Sequence, residues 1–214
     1  RYWRDWSSDV CSSDLTANEV IAGDQKLIHF RYFFTRKLMF ISQAEAVALF
    51  PGGFGTMDEA FEVLTLVQTG KASMIPIVLC QGAGESYWNE WDALMRSGLG
   101  KRGWISPDDH ALYALCDSPA QAVTHIMDFY RNYHSSRYVK DDLVIRMQRR
   151  LSDQAMHTLN TEFVRLVKAG SMVQRGPLDA EDDHLHLPRL VFTHTRRDFG
   201  LVRKLIDRIN QLDR

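Results

Sequence analysis

Short apolar runs and amphipathic stretches follow one another along residues 27–130. Runs rich in β-branched and aromatic residues predict strands, and apolar residues spaced three and four apart predict helices. The predicted strands are Leu27–Phe34, Ala46–Phe50, Ile75–Cys80 and Ala111–Cys116, of which Ala46–Phe50 has the continuous apolar pattern of a strand buried on both faces. The predicted helices cover residues 35–43, 56–70, 86–96 and 118–130. Such alternation predicts an α/β fold, a parallel sheet with helices on both faces.

The apolar faces of two of these helices are defined by their spacing. They comprise Met57, Ala60, Phe61, Leu64 and Val67 in the first, and Trp88, Trp91 and Leu94 in the second. Gly70 stands where a C-terminal cap belongs, and Ser118 before Pro119 is a typical N-cap. Trp88 and Trp91 are expected in the core rather than as a platform for nucleic-acid bases. Cys80 and Cys116 end buried strands and are expected to be inert.

The pattern changes after Arg131. Apolar residues over 139–169 recur at helical spacing, at Leu143, Met147, Leu151, Met156, Leu159, Phe163 and Val167. A polar linker, Gln174–Asp183, then leads to a predicted strand, Leu190–Thr193, and an amphipathic helix, Phe199–Leu212. Residues 136–214 are therefore predicted to form a mainly helical C-terminal extension, for which a regulatory or partner-binding role is one possibility.

The charge distribution supports this division. The 214 residues have a net charge of −1, yet residues 16–135 carry nine basic and thirteen acidic residues, and residues 136–214 carry fifteen basic and eleven acidic ones. No apolar run reaches the roughly 18 residues of a membrane span. Three scattered cysteines favour a reducing compartment over a disulfide scaffold. We therefore expect a cytoplasmic protein.

The first fifteen residues, RYWRDWSSDVCSSDL, have no usable periodicity. They resemble translated sequencing-adapter segments, so a non-native leader is expected over 1–15, followed by a domain over 16–135 and the extension over 136–214. Native sequence upstream of the fragment is expected to be missing.

One segment carries candidate chemistry. Pro51-Gly52-Gly53-Phe54-Gly55-Thr56-Met57-Asp58-Glu59 lies between a predicted buried strand and a helix. Glycines let a backbone approach an anion closely, and a helix N-terminus presents free N–H groups with partial positive charge, so a phosphate is the natural ligand. Spacing alone favours another interpretation, a capping box in which Thr56 and Glu59 only complete the helix. The dinucleotide and P-loop glycine patterns are absent from this segment.

The nine residues of this segment resemble the PGGxGTxxE signature of the LOG family, Rossmann-like cytokinin-activating phosphoribohydrolases long labelled "lysine decarboxylase-like". The family pairs the signature with an upstream Arg and Lys, which Arg36 and Lys37 match. The similarity covers about Leu27 to Tyr130. The family's first strand and upstream glycine turn are not found, which the expected truncation explains.

The resemblance implies hydrolysis of the N-glycosidic bond of a nucleoside 5′-monophosphate, such as AMP or a cytokinin riboside monophosphate. Glu59 and Arg36 are the implied catalytic residues, because a carboxylate stabilises positive charge on the ribose and a guanidinium binds oxyanions. The implied substrate-binding residues are Lys37, Gly52, Gly53, Gly55, Thr56 and Asp58. For two of them another interpretation stays open: Asp58 as a solvated acid that complements the helix dipole, and Lys37 as a residue of the helix surface. The resemblance implies no cofactor and no metal. It does imply a homodimer. The alternative is a nucleotide-binding or cofactor-carrier module that cleaves nothing, since a pure binder needs the glycine turn but not Glu59.

Three weaker signals are not adopted. Asp182, Asp183, His184, His186 and His194 form a loose set of metal-ligand types, but converging side chains are not indicated. The basic residues of the extension are interleaved with acids, so a solvated helix face is favoured over nucleic-acid binding; they are Arg146, Arg149, Arg150, Arg196, Arg197, Arg203 and Lys204. A pyridoxal-phosphate decarboxylase needs a Schiff-base lysine with an acidic partner, and Lys37, Lys71 and Lys101 lack that context.

Overall fold

The computed structural model describes residues 33–212, and the chain divides into two compact units, Arg1–Ala44 and Glu45–Arg214. The described part of the first unit contains helix α1, Phe33–Gln43. This confirms the predicted helix. It also corrects the end of the strand predicted before it, because Phe33 and Phe34 are helical; residues 27–32 lie outside the described range. None of the helices within residues 33–212 is long and apolar enough to span a membrane.

The second unit begins with a parallel sheet of three strands, β1 (Val47–Leu49), β2 (Ile77–Cys80) and β3 (Tyr113–Cys116), in the order β1-β2-β3. Every residue of the central strand is buried, as predicted. The prediction that the first strand is buried on both faces is wrong: Leu49 is buried, but Ala48 is exposed. Among the described strands β1 pairs only with β2.

Helices connect these strands: α2 (Phe54–Gln68), α3 (Tyr87–Leu94) with a π-helical turn at Met95–Gly100, a 3₁₀ helix at Pro107–Leu112, and α4 (Pro119–Phe129). Gly70 follows α2 with a φ of +67°, as expected of a C-terminal cap. Ser118 caps α4 by accepting the Gln121 N–H at 3.3 Å. Trp88 and Trp91 are buried, as predicted, whereas Leu94 is 60% exposed and does not belong to that apolar face.

Beyond α4 an antiparallel sheet replaces much of the predicted helix. Its strands are β4 (Tyr133–Val139), β5 (Asp142–Met147), β6 (Val167–Arg175) and β7 (Arg189–His194), in the order β4-β5-β7-β6. The helical prediction is therefore wrong over 139–147 and 167–169. A helix is present within the predicted stretch at α5 (Asp153–Glu162). The last predicted helix is confirmed as α6, with the predicted first and last residues, Phe199–Leu212. A 3₁₀ turn, Val164–Leu166, precedes β6.

Helix α6 packs against elements on both sides of residue 135. Its Asn210 accepts the N–H groups of Asn132 and Tyr133 at 2.8 and 3.0 Å and donates to the Phe129 carbonyl at 2.7 Å. Lys204 forms an ion pair with Asp108 of the 3₁₀ helix at 2.7 Å. Residues on both sides of position 135 thus belong to the same compact unit, and a domain boundary there stays a prediction.

Candidate functional site

The glycine segment connects the carboxyl end of β1 to the first turn of α2. The N-cap of α2 is Gly53, and the first helical hydrogen bond runs from the Met57 N–H to the Gly53 carbonyl at 3.2 Å. Thr56 is therefore the third residue of the helix, and no side chain caps it. The capping-box interpretation is wrong, because its threonine would have to precede the helix. The first N–H groups of α2 point out of its N-terminus, as an anion site requires.

The three glycines of the segment are not required by backbone strain, and a steric limit applies only at Gly52. Gly52, Gly53 and Gly55 have no positive φ. A Cβ on Gly52 would lie 2.2 Å from Oγ1 of Thr56, so a larger residue would collide with that side chain. A Cβ on Gly53 or Gly55 would meet no atom of residues 33–212 within 4 Å. The Cα atoms of Gly53 and Gly55 thus border open space at the helix N-terminus, where a ligand can approach the backbone closely.

The remaining signature residues lie along the first turns of α2. Thr56 and Glu59 are three residues apart and half-buried, while Asp58 is exposed. Residues three apart are neighbours on a helix surface, so a hydroxyl and a carboxylate occupy adjacent positions beside the glycine turn. The structure therefore brings together six of the predicted site residues, Gly52, Gly53, Gly55, Thr56, Asp58 and Glu59.

The other two predicted site residues belong to the first unit. Arg36 and Lys37 lie on α1, where Lys37 is buried and Arg36 is half-buried with its guanidinium 6.0 Å from the Phe40 ring centre. Their convergence with Glu59 in one cleft stays a prediction from the resemblance.

Two residues that the sequence alone did not indicate lie near this edge of the sheet, and one of them, Tyr87 of α3, contacts the glycine turn. The Tyr87 hydroxyl donates to the Gly52 carbonyl. Buried Gln81 accepts the Trp88 N–H at 2.8 Å and donates to Asp117 at 3.1 Å. Gln81 and Asp117 directly follow β2 and β3, and the carboxyl ends of parallel strands share one edge of a sheet. Their positions directly after two predicted strands are the feature of the sequence from which this contact could have been predicted.

The cysteines at the ends of β2 and β3 are both buried and free, and they are paired in register. Burial raises the pKa of the Cys116 thiol, and Cys80 and Asp117 shift it in the same direction. A raised pKa favours the thiol form of Cys116, and its inertness stays a prediction.

The acidic linker Gln174–Asp183 has a structural role. Glu181 is buried between Arg146 and Arg189, with its carboxylate oxygens 3.0 Å from each guanidinium. Arg203, too, is buried, against Asp207. The predicted solvated helix face is therefore wrong for Arg146 and Arg203. Across the described range, no group of three or more His, Cys, Asp or Glu side chains is arranged to hold a metal ion.

A comparison with models of known protein families finds a match for this chain. The family model described as "Possible lysine decarboxylase" matches residues 10–126, more than half of the chain. The chain belongs to this family. It is the LOG-like family indicated by the signature at Pro51–Glu59. A comparison with curated proteins finds no match.

The family match includes all three strands of the parallel sheet and the whole glycine segment, and it ends within α4. The antiparallel sheet and α6 lie outside it. It begins at residue 10, so it overlaps the last six residues of the segment that the sequence analysis assigned to a non-native leader.

Proposed function

We propose that this member of the family hydrolyses the N-glycosidic bond of nucleoside 5′-monophosphates and releases the free base and ribose 5-phosphate. The observation that carries the proposal is the glycine turn: two Cα atoms border open space at a helix N-terminus, and a half-buried carboxylate lies one turn further along. Family membership supports the reaction class. Both AMP and a cytokinin riboside monophosphate are covered by this proposal.

The turn would bind the 5′-phosphate. The N–H groups at the start of α2 donate to its oxygens, and the helix dipole favours its negative charge. The Thr56 hydroxyl adds a donor beside them. Asp58 is exposed on the same turn and is assigned to the ribose hydroxyls; Lys37 is assigned to the phosphate by the family pattern.

Glu59 would act on the ribose. Breaking the N-glycosidic bond builds positive charge on the sugar, which a nearby carboxylate stabilises, and the same carboxylate can orient or deprotonate the attacking water. The water oxygen forms the new bond to the anomeric carbon, while the bonding electrons leave with the base, which takes up a proton. Arg36 is assigned to stabilise negative charge on the phosphate or on the departing base.

The decisive experiment compares adenine release from AMP, measured by HPLC, for the full chain and Glu59→Gln. We expect the substitution to lower turnover roughly a hundredfold or more. The matched control is Glu62→Gln, because Glu62 lies on the same helix and is likewise half-buried. Unchanged turnover in Glu59→Gln, or an equal loss in the control, would contradict the proposal.

A binding assay separates this proposal from its alternative. If the unsubstituted chain binds AMP but releases no adenine, the protein is a nucleotide-binding module of the same fold. Release of CO₂ from lysine in the presence of pyridoxal phosphate would instead support lysine decarboxylase chemistry.

A further inference from the structure

The hydroxyl of Tyr87 forms a hydrogen bond that the proposed mechanism leaves unused. Tyr87 is the first residue of α3, and its hydroxyl donates to the carbonyl oxygen of Gly52 in the glycine turn. The two residues are 35 positions apart in sequence, so the bond joins the turn after β1 to the helix after β2. Through this contact a neighbouring helix can control the shape of the turn.

Tyr87 is held in place by the residue that follows it. Trp88 is fully buried, its backbone N–H donates to Gln81 at 2.8 Å, and its indole N–H donates to the Cys80 carbonyl at 3.2 Å. The Tyr87 ring also packs edge-on against the Trp88 ring, with the ring centres 4.9 Å apart. The start of α3 is therefore fixed to the end of β2, which gives the Tyr87 hydroxyl a defined position beside the turn.

The peptide group that Tyr87 holds is one that rotates easily. A peptide plane turns through a change in ψ of the residue before it and in φ of the residue after it, and here these residues are Gly52 and Gly53. Neither glycine carries a Cβ that would oppose the rotation. The hydrogen bond to the Gly52 carbonyl therefore selects one orientation of this peptide group.

That orientation decides whether the turn attracts or repels an anion. The bond between Gly52 and Gly53 is trans, so its C=O and N–H point in opposite directions. With the carbonyl held by Tyr87, the Gly53 N–H points away from Tyr87, and as the N-cap N–H of α2 it is one of the donors that a helix start leaves for a ligand. In the rotated orientation the carbonyl oxygen would replace this N–H, and its partial negative charge would repel a phosphate.

We propose that Tyr87 is a positioning residue for the phosphate subsite: it holds the Gly52–Gly53 peptide group in the orientation that presents the Gly53 N–H to the 5′-phosphate. This inference rests on the proposed function, because it requires a phosphate at the glycine turn. Tyr87 itself does not touch the substrate. The property that depends on its hydroxyl is the affinity for the phosphate, and not the rate of the chemical step.

The test is steady-state adenine release from AMP by the full chain and by Tyr87→Phe, which keeps the ring against Trp88 and removes only the hydroxyl. The phosphate is bound in the ground state and in the transition state alike. We therefore expect KM for AMP to rise about tenfold and kcat to change by less than about twofold. The inhibition constant of inorganic phosphate, a competitor for the same subsite, should rise by the same factor as KM.

Tyr130→Phe is the matched control. The Tyr130 hydroxyl also donates to a backbone carbonyl, that of Glu45 at 2.5 Å, but Glu45 precedes β1 at the end opposite the glycine turn. This variant should change neither constant. An unchanged KM in Tyr87→Phe, an equal rise of KM in both variants, or an unchanged inhibition constant for inorganic phosphate would overturn the inference. Partial unfolding would lower the apparent kcat without raising KM, so it cannot imitate the expected result.

A binding measurement separates a failure of this inference from a failure of the proposed function. If the unsubstituted chain binds AMP but releases no adenine, the hydrolase proposal fails, and calorimetric titration with AMP should still show an affinity about tenfold lower in Tyr87→Phe. If Glu59→Gln abolishes turnover while Tyr87→Phe keeps the KM of the unsubstituted chain, only this inference fails. An unsubstituted chain that does not bind AMP would contradict both.

Discussion

The two sheets of the second unit have cores of opposite chemistry. The central strand of the parallel sheet, Ile77–Cys80, is apolar and buried throughout. The antiparallel sheet buries charged and titratable groups, with Arg146 on β5 and with Arg189 and His194 on β7. A buried charge is tolerated only when it is paired and hydrogen-bonded. The first core therefore depends on volume, and the second depends on specific partners in specific protonation states.

The largest stability effect is expected from removing the centre of the buried charge network. Glu181→Ala would leave Arg146 and Arg189 without their carboxylate, at a cost of about 4 kcal/mol in the free energy of unfolding at pH 7. The comparison is with Leu79→Ala in the parallel sheet, which should cost about 3 kcal/mol by creating a cavity. Urea unfolding followed by circular dichroism measures both.

The two substitutions should differ in their dependence on pH. Burial raises the pKa of Glu181, but hydrogen bonds from Arg189, Leu178 and Arg146 outweigh it and hold the pKa below the ordinary value of 4.5. A lowered carboxylate pKa stabilises the fold above the unfolded-state pKa, and this stabilisation is lost as the pH falls through the folded-state pKa. The cost of Glu181→Ala should therefore shrink below about pH 4. A cost of Glu181→Ala that did not change with pH, together with a cost of Leu79→Ala that did, would contradict the proposed difference between the two cores.

A smaller effect is expected from His194. Burial lowers the pKa of this imidazole, which is hydrogen-bonded to the Tyr138 hydroxyl at 2.5 Å, from 6.5 to about 4. A neutral buried histidine resists the proton that the unfolded chain accepts, so stability falls as the pH drops from about 6.5 to about 4. A full shift corresponds to about 3 kcal/mol. In His194→Asn the unfolding free energy should change less over this interval; an identical slope would contradict the assignment.

The smallest effects are expected from removing helix N-caps, and they show whether a cap contributes equally beside the parallel and the antiparallel sheet. Ser118 caps α4 beside the parallel sheet, and Ser152 caps α5 beside the antiparallel one, each by accepting a backbone N–H. Replacing either with alanine should lower stability by about 1 kcal/mol. Ser86 occupies the same position in α3 but caps no N–H, so Ser86→Ala serves as the control in the same thermal melts and should show a smaller change. A clear difference between Ser118→Ala and Ser152→Ala would indicate that the surrounding sheet matters.

The same contrast explains which elements the sequence could predict. The apolar strand β2 and the capped helix α4 were predictable because one local rule decides each. Strand β5 was not: residues 143–147 are all buried, so no polar alternation marks them as a strand, and Leu143 and Met147 also fit a helical spacing. The hairpin that joins β4 and β5 gave no signal either, because its turn places Lys140 at a φ of +55°, where Gly or Asn is typical.

The site shows a similar limit. The glycine signature was recognisable because its residues are contiguous and its anion chemistry is local. Tyr87 and Gln81 were not recognised, because they meet Gly52 and Asp117 only after two parallel strands align. The buried role of Arg146 likewise depends on Glu181, which lies 35 residues away in sequence.

The three hydrogen bonds of Asn210 also bear on how the chain folds. They join residues 77 to 81 positions apart, so the turn between α4 and β4 acquires its last partners only when a long loop has closed. Closing such loops costs entropy before any contact compensates for it, which makes folding slow. Until α6 docks, the backbone groups of Phe129, Asn132 and Tyr133 must be satisfied by water, and intermediates that lack this docking expose the apolar face of α6 to aggregation.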